Sequence, residues 1–189
     1  MILIGIPLTS TPSDASIITY FLPSIICVDT REQESARAVK RYSMFGCPWE
    51  RRTLNYGDYT YNFRLPNGKY LYPDDVTIDG AAVIERKMSL TELSGNFTRS
   101  RKRFIDEFDR AKAAGSSVYL LVEDGSWEKL IAGHYKTKFN PEAFKASLTA
   151  WMARYNAKVI FCRQETSGTL IKEILFRELK ERLERGEYG

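Results

Sequence analysis

Three short apolar runs, Ala82–Lys87, Ser117–Glu123 and Lys158–Cys162, are separated by stretches patterned as helices, and this alternation most restricts the fold. Strands divided by helices imply an α/β sheet. The helical stretches run onward from Ser89, from Arg101 to Ala114 with Gly115 as the stop, and over Trp127–Ala132, Pro141–Tyr155 and Thr169–Arg185. An earlier strand is expected at Ile25–Val28, ending in Asp29. A helix is expected to follow it directly, because Thr30 and Gln33 have capping-box spacing and Gly46 supplies an end. From Trp49 to Lys87 the pattern turns to β. Arg52–Phe63 is rich in Tyr and Thr, Pro66-Asn67-Gly68 signals a turn, and Val76–Gly80 reads as a strand, so three or four antiparallel strands are expected.

The 189 residues, 43% of them hydrophobic, suit one globular domain, expected over residues 25–189. Residues 1–24, with their Thr-, Ser- and Pro-rich stretch Thr9–Ser16, are expected to form an arm. The formal charge is +4, and any carboxylates gathered around a metal leave the remaining surface more basic, which favours a polyanionic partner. Cys27, Cys47 and Cys162 stand far apart and His134 is the only histidine, so neither a zinc site nor a disulfide framework is expected, and a reducing cytoplasm suits the chain. The apolar run Met1–Leu8 is too short and too interrupted for a membrane span, so no membrane association is expected. Phe144, Leu148, Trp151 and Tyr155 recur at helical spacing, which argues for core or a subunit interface rather than base-stacking platforms.

The chemistry centres on Glu85-Arg86-Lys87. Alternate side chains of a strand share a face, so Glu85 and Lys87 point together and Arg86 points away. Asp58 follows Gly57 at a bend, where glycine lets the backbone turn while the carboxylate is aimed inward. Asp29 and Glu32 flank the first strand-to-helix corner. Each feature alone has an ordinary structural explanation, as an ion pair, a turn or helix capping. Four carboxylates and a lysine converging from three strand ends would repel one another unless a hard divalent cation, Mg²⁺ or Mn²⁺, lay between them.

In order, Val28-Asp29-Thr30-Arg31-Glu32, Gly57-Asp58-Tyr59 and Ile84-Glu85-Arg86-Lys87 resemble the three signatures of the XPF-type structure-specific endonuclease domain. The resemblance spans roughly Ile25–Phe97. It implies a restriction-endonuclease-like core, a central mixed sheet flanked by helices. In that core Asp58 and Glu85 hold the metal, Lys87 orients or activates water, and Asp29 and Glu32 complete the acidic site, Asp29 as a further ligand. Arg31 and Arg86 match family positions with less defined roles. The implied reaction is hydrolysis of a DNA phosphodiester at branched or flapped junctions, leaving a 5′-phosphate and a 3′-hydroxyl, in repair, recombination or genome processing. A homodimer or heterodimer is implied as well. The competing reading is a noncatalytic DNA-binding or scaffold subunit, although such subunits usually lose the acids that this chain keeps.

Three departures stand out. The spacing from Gly57-Asp58 to Glu85 is long, which makes Asp75 a second choice to Asp58 as ligand. The family's final Asp falls at Thr91, with Glu92 one place later. Nothing after Thr169 has the paired glycine hairpins of the family's helix-hairpin-helix module, so a stand-alone form is expected, placed in the cytoplasm or on a nucleoid. Arg99, Arg101 and Arg103 at a helix start are expected to clamp phosphates, since basic groups there oppose the helix dipole unless an anion compensates.

Overall fold

The computed structural model describes residues 24–188, so the expected arm lies, save for Ser24, outside the described residues. Six strands form one mixed sheet in the order β2-β1-β3-β4-β5-β6. They are β1 (Ile25–Asp29), β2 (Trp49–Arg52), β3 (Tyr59–Asn62), β4 (Ala82–Lys87), β5 (Ser117–Glu123) and β6 (Lys158–Cys162). β4, β5 and β6 run parallel, so each connection between them must cross over the sheet, and helices make the crossings. The first crossing carries α2 (Leu90–Phe97) and α3 (Arg101–Ala113), and the second α4 (Trp127–Ile131) and α5 (Pro141–Tyr155). Helices α1 (Ala36–Ser43) and α6 (Gln164–Glu184) cover the opposite face.

Both faces of the central strands are covered, which is why β4 and β5 read as near-continuous apolar runs. Val83, Leu120 and Val122 face a layer of rings, Phe97, Phe104, Phe108, Phe144 and Trp151. The ring of Phe104 stacks on Trp151 at 5.6 Å between centroids, and Phe97 meets Trp151 edge-on at 5.0 Å. The aromatic spacing of α5 therefore belongs to the core. On the other face Val28, Tyr59, Ile84 and Leu121 pack against Tyr42 of α1 and Ile171, Leu175 and Leu179 of α6. Burying each such side chain contributes roughly 1.5–3 kcal/mol. Cys27 is fully buried as expected of a small hydrophobe, and Cys47 and Cys162 are half-buried.

Three expectations need correction. The first helix begins at Ala36 rather than at Thr30, capped by the Ser35 hydroxyl, which accepts from the Ala38 N–H at 3.2 Å. The backbone of the intervening residues has other partners: the Arg31 N–H donates to Asp29, and the Arg51 guanidinium donates to the carbonyls of Thr30 and Glu32 at 2.7 and 2.8 Å. The second correction concerns the β region. β2 pairs in parallel with β1, and Val76–Gly80 is a loop that touches the sheet through the single Leu54–Ile78 bridge. That loop is held mainly by backbone bonds, the Ile78 N–H donating to the Thr53 carbonyl at 2.9 Å and the Asn55 N–H to the Ile78 carbonyl at 3.0 Å, with the Tyr72 hydroxyl donating to the Asp79 carbonyl at 3.3 Å. Thirdly, α6 starts at Gln164, ahead of Thr169, and so contains Gly168, which lies so close to α1 that an added Cβ would collide with the Arg41 carbonyl and Met44.

Candidate active site

The sheet topology brings the three sequence signatures together. β3 is antiparallel to β1 and β4, so its first residues lie beside the last residues of both neighbours, with Val28 opposite Tyr59 and Tyr59 opposite Ile84. Backbone bonds lock that edge: the Asp29 N–H donates to the Asp58 carbonyl and the Asp58 N–H to the Ile84 carbonyl, each at 2.8 Å. Gly57 makes the approach possible. Its φ is +73°, and an added Cβ would stand 2.9 Å from the Val83 Cβ.

A cavity of about 520 Å³ opens at this edge, lined among others by Asp58, Glu85, Lys87, Glu92, Glu107 and Glu32. As the alternation predicts, Glu85 and Lys87 share one face. The Lys87 ammonium donates to Glu85 Oε1 and lies 5.5 Å above the Phe104 ring. Asp58 Oδ2 accepts from the Arg86 N–H at 2.7 Å, which aims the carboxylate at β4. Burial, then the charge of Glu85, pushes the Asp58 carboxyl well above its usual range. Burial pushes Glu85 up to about 7, against the pull of Lys87 and with the push of Glu107 and Glu92. Burial also opposes the Lys87 charge, but Glu85 and Asp58 outweigh it and hold the ammonium above its ordinary value.

Glu85 is 4% exposed, and its second oxygen, Oε2, is buried with no hydrogen-bond partner. A buried carboxylate oxygen without a donor is costly. A divalent cation fits that need, together with the repulsion between Asp58 and Glu85. Among the described residues no three His, Cys, Asp or Glu side chains gather closely enough to cage an ion. Two carboxylates suit Mg²⁺, which is ordinarily held by one or two carboxylates with water and substrate phosphate completing the shell.

The other predicted residues are placed differently. Asp29 is 1% exposed and does not line the cavity. Its carboxylate accepts from Arg31 N, Nε and Nη2 and from the Leu54 N–H at 2.6–3.2 Å, so its acceptor capacity goes to holding Arg31 at the cavity rim. Glu32 Oε1 accepts from Arg41, Tyr59 and Arg86 at 2.9–3.1 Å. Arg86, on the face opposite Glu85, also meets Glu123 at 3.4 Å, and Arg41 meets Glu123 at 3.2 Å. Glu32 and Glu123 thus face Arg37, Arg41 and Arg86 along one wall of the cavity. Of the basic helix start, Arg103 lines the cavity, whereas Arg101 lies over the Trp151 ring at 5.6 Å and Arg99 is exposed outside the lining. Asp74 and Asp75 line a separate depression beside β2, so Asp75 does not rival Asp58 here.

Four residues at or beneath the cavity escape the sequence reading: Arg37, Arg41, Glu107 and Glu123. Glu123 had a signal, since it ends a strand parallel to the one that carries Glu85 and Lys87. Glu107 had a weaker one, lying one helical turn beyond Arg103. Nothing local marks Arg37 or Arg41, which α1 carries across from another layer.

A mixed six-stranded sheet flanked by helices is the α/β fold of XPF nuclease domain structures. Residues 28–174 match the ERCC4 domain, and the chain belongs to that family. The structure is similar to XPF from Aeropyrum pernix, with a TM-score of 0.56 and 17% identity over 82% of this chain and 61% of that one. It is also similar to XPF from Aeropyrum pernix in complex with DNA, with a TM-score of 0.57 and 18% identity over 85% and 67% of the two chains. This chain thus spans about 61% of the length of the first of these proteins. No curated protein sequence matches it. Among the described residues no helix is long and apolar enough to cross a membrane.

Proposed function

We propose that the chain is a divalent-metal-dependent DNA endonuclease that hydrolyses phosphodiester bonds where duplex and single strand meet. One observation carries this reading: Asp58 and the unpartnered oxygen of Glu85 share a cavity with Lys87, and arginines line the same cavity. Asp58 and Glu85 would hold the cation, which polarises a phosphate oxygen and acidifies water when bound. Lys87, kept charged by its two carboxylate neighbours, neutralises negative charge developing on the phosphate. Arg31, fixed by Asp29, and Arg103 supply donors at the rim for phosphates flanking the cut. The likeness to an XPF–DNA complex supports DNA as the polyanion, and association with a second copy or an inactive partner belongs to the same proposal.

The test is incubation of the purified chain and its Glu85→Ala and Lys87→Ala variants with labelled flap, fork and plain duplex DNA, in Mg²⁺, Mn²⁺ or EDTA. Cutting of flaps and forks in either metal, absent in EDTA and in both variants, is expected. Binding of junctions with no cutting in either metal would overturn the enzyme reading in favour of a scaffold subunit.

A further inference from the structure

The position where the family's final acid is expected, Thr91, does not face the site. Its hydroxyl accepts from the Lys136 N–H at 3.0 Å and tethers the loop before α5. The next residue, Glu92, lines the cavity as well, but it is held at the start of α2: Ser89 accepts from the Glu92 N–H at 3.2 Å, and Glu92 Oε2 accepts from the Met88 N–H at 2.7 Å. A further carboxylate reaches the site from α3, tied directly to the corner that carries Asp58. Glu107 is half-buried, lines the cavity with Asp58 and Glu85, and also lines a small adjoining crevice with Glu85 and Gly57. Its Oε1 accepts from the Gly57 N–H at 3.1 Å, which ties it to the corner that aims Asp58.

Resting on the nuclease reading above, we propose that Glu107 is the third carboxylate of this site, taking over from α3 the role of the acid missing at Thr91. It adds negative charge to the ion site and fixes the Gly57–Asp58 corner that presents one of the two direct ligands. The described residues include no three-acid cage, so Glu107 acts from outside the directly bonded shell. Carboxylates in that position typically change metal affinity by about 10–100-fold.

The experiment is titration of the whole chain with Mn²⁺ alone, without DNA, followed by electron paramagnetic resonance of the free ion and by calorimetry. Wild type is compared with Asp58→Asn, Glu107→Gln and Glu92→Gln. Glutamine at 107 keeps an oxygen to accept from the Gly57 N–H, so a merely structural role would leave binding unchanged. Glu107→Gln is expected to weaken Mn²⁺ binding roughly tenfold or more with its melting temperature in EDTA retained, and Glu92→Gln, at the other carboxylate of the lining, to weaken it clearly less. Wild-type affinity in Glu107→Gln, or an equal loss in Glu92→Gln, would overturn the assignment. Undiminished binding in Asp58→Asn would remove the metal reading itself and the role of Glu107 with it.

Discussion

Asp58 and Glu85 hold their charges at the expense of the folded state, because burial raises both carboxyl groups, aided at Asp58 by the charge of Glu85 and at Glu85 by that of Glu107. A carboxyl whose folded pKa is raised binds its proton more tightly folded than unfolded, so its contribution to stability falls as pH rises. For Glu85 the window runs from about 4.5 to about 7. In EDTA, Asp58→Asn is therefore expected to melt higher than wild type at pH 8. Each pKa unit relieved is worth about 1.4 kcal/mol, or roughly 3–5 °C at this chain length, and the difference should shrink towards pH 5. The same variant should lose cutting by about 100-fold or more if Asp58 holds the cation as proposed; equal melting curves across pH would contradict the account. Gly57 carries a second prediction. Gly57→Ala forces a side chain into left-handed backbone against Val83 and should cost about 1–3 kcal/mol in denaturant unfolding. The sequence put Glu85 and Lys87 on one face because spacing along a strand decides which side chains align, and marked Asp58 through the bend at Gly57; all three line one cavity. It could not disclose that Asp29 is saturated by Arg31 and Leu54, since a local motif does not record how many donors surround an acid.

β4 divides the chemistry between its two faces. Glu85 and Lys87 meet α3 and the cavity, while Arg86 enters the network of Glu32, Arg41 and Glu123. Glu123 is fully buried and faces three arginines, so Glu123→Ala leaves buried positive charge uncompensated. Breaking such a pair from one side costs about 3–5 kcal/mol, and a loss of that size by urea unfolding is expected. A loss below about 1 kcal/mol would mean that the network is solvated. Elements with strong local signals were legible: β5, α5 and β6 follow the sequence reading to the residue, since apolar run, Pro at the start and left-handed Asn156 at the end are all local. The stretch from Thr30 to Ser35 and the loop around Ile78 were not. Their backbone groups are satisfied by Arg51 and Asp29 in the first case and by Thr53, Asn55 and Tyr72 in the second, partners that lie outside each stretch.

Across the whole molecule the formal charge is only +4, yet acids are concentrated beneath and within the cavity and arginines line it. DNA binding should therefore weaken steeply with salt. Arg103→Ala and Arg31→Ala are each expected to reduce the slope of log affinity against log salt by about 1, uniformly across sequences. Arg101→Ala should leave the slope nearly unchanged, because Arg101 lies against Trp151 rather than in the cavity. Filter binding or anisotropy from about 50 to 200 mM salt measures all three, and equal slopes would remove the cavity from the DNA path. By itself the amino-acid sequence determined the alternating α/β order, the two faces of β4 and the trio Asp58, Glu85 and Lys87, because periodicity and turn chemistry are properties of neighbouring residues. Only the tertiary structure decided that β2 runs parallel to β1, that Asp29 supports Arg31, that Asp75 lies elsewhere, and that Glu107, Arg41 and Glu123 join the site. Those outcomes depend on which strand ends and helix faces meet across the sheet, and distance in space is not written in the local pattern of the chain.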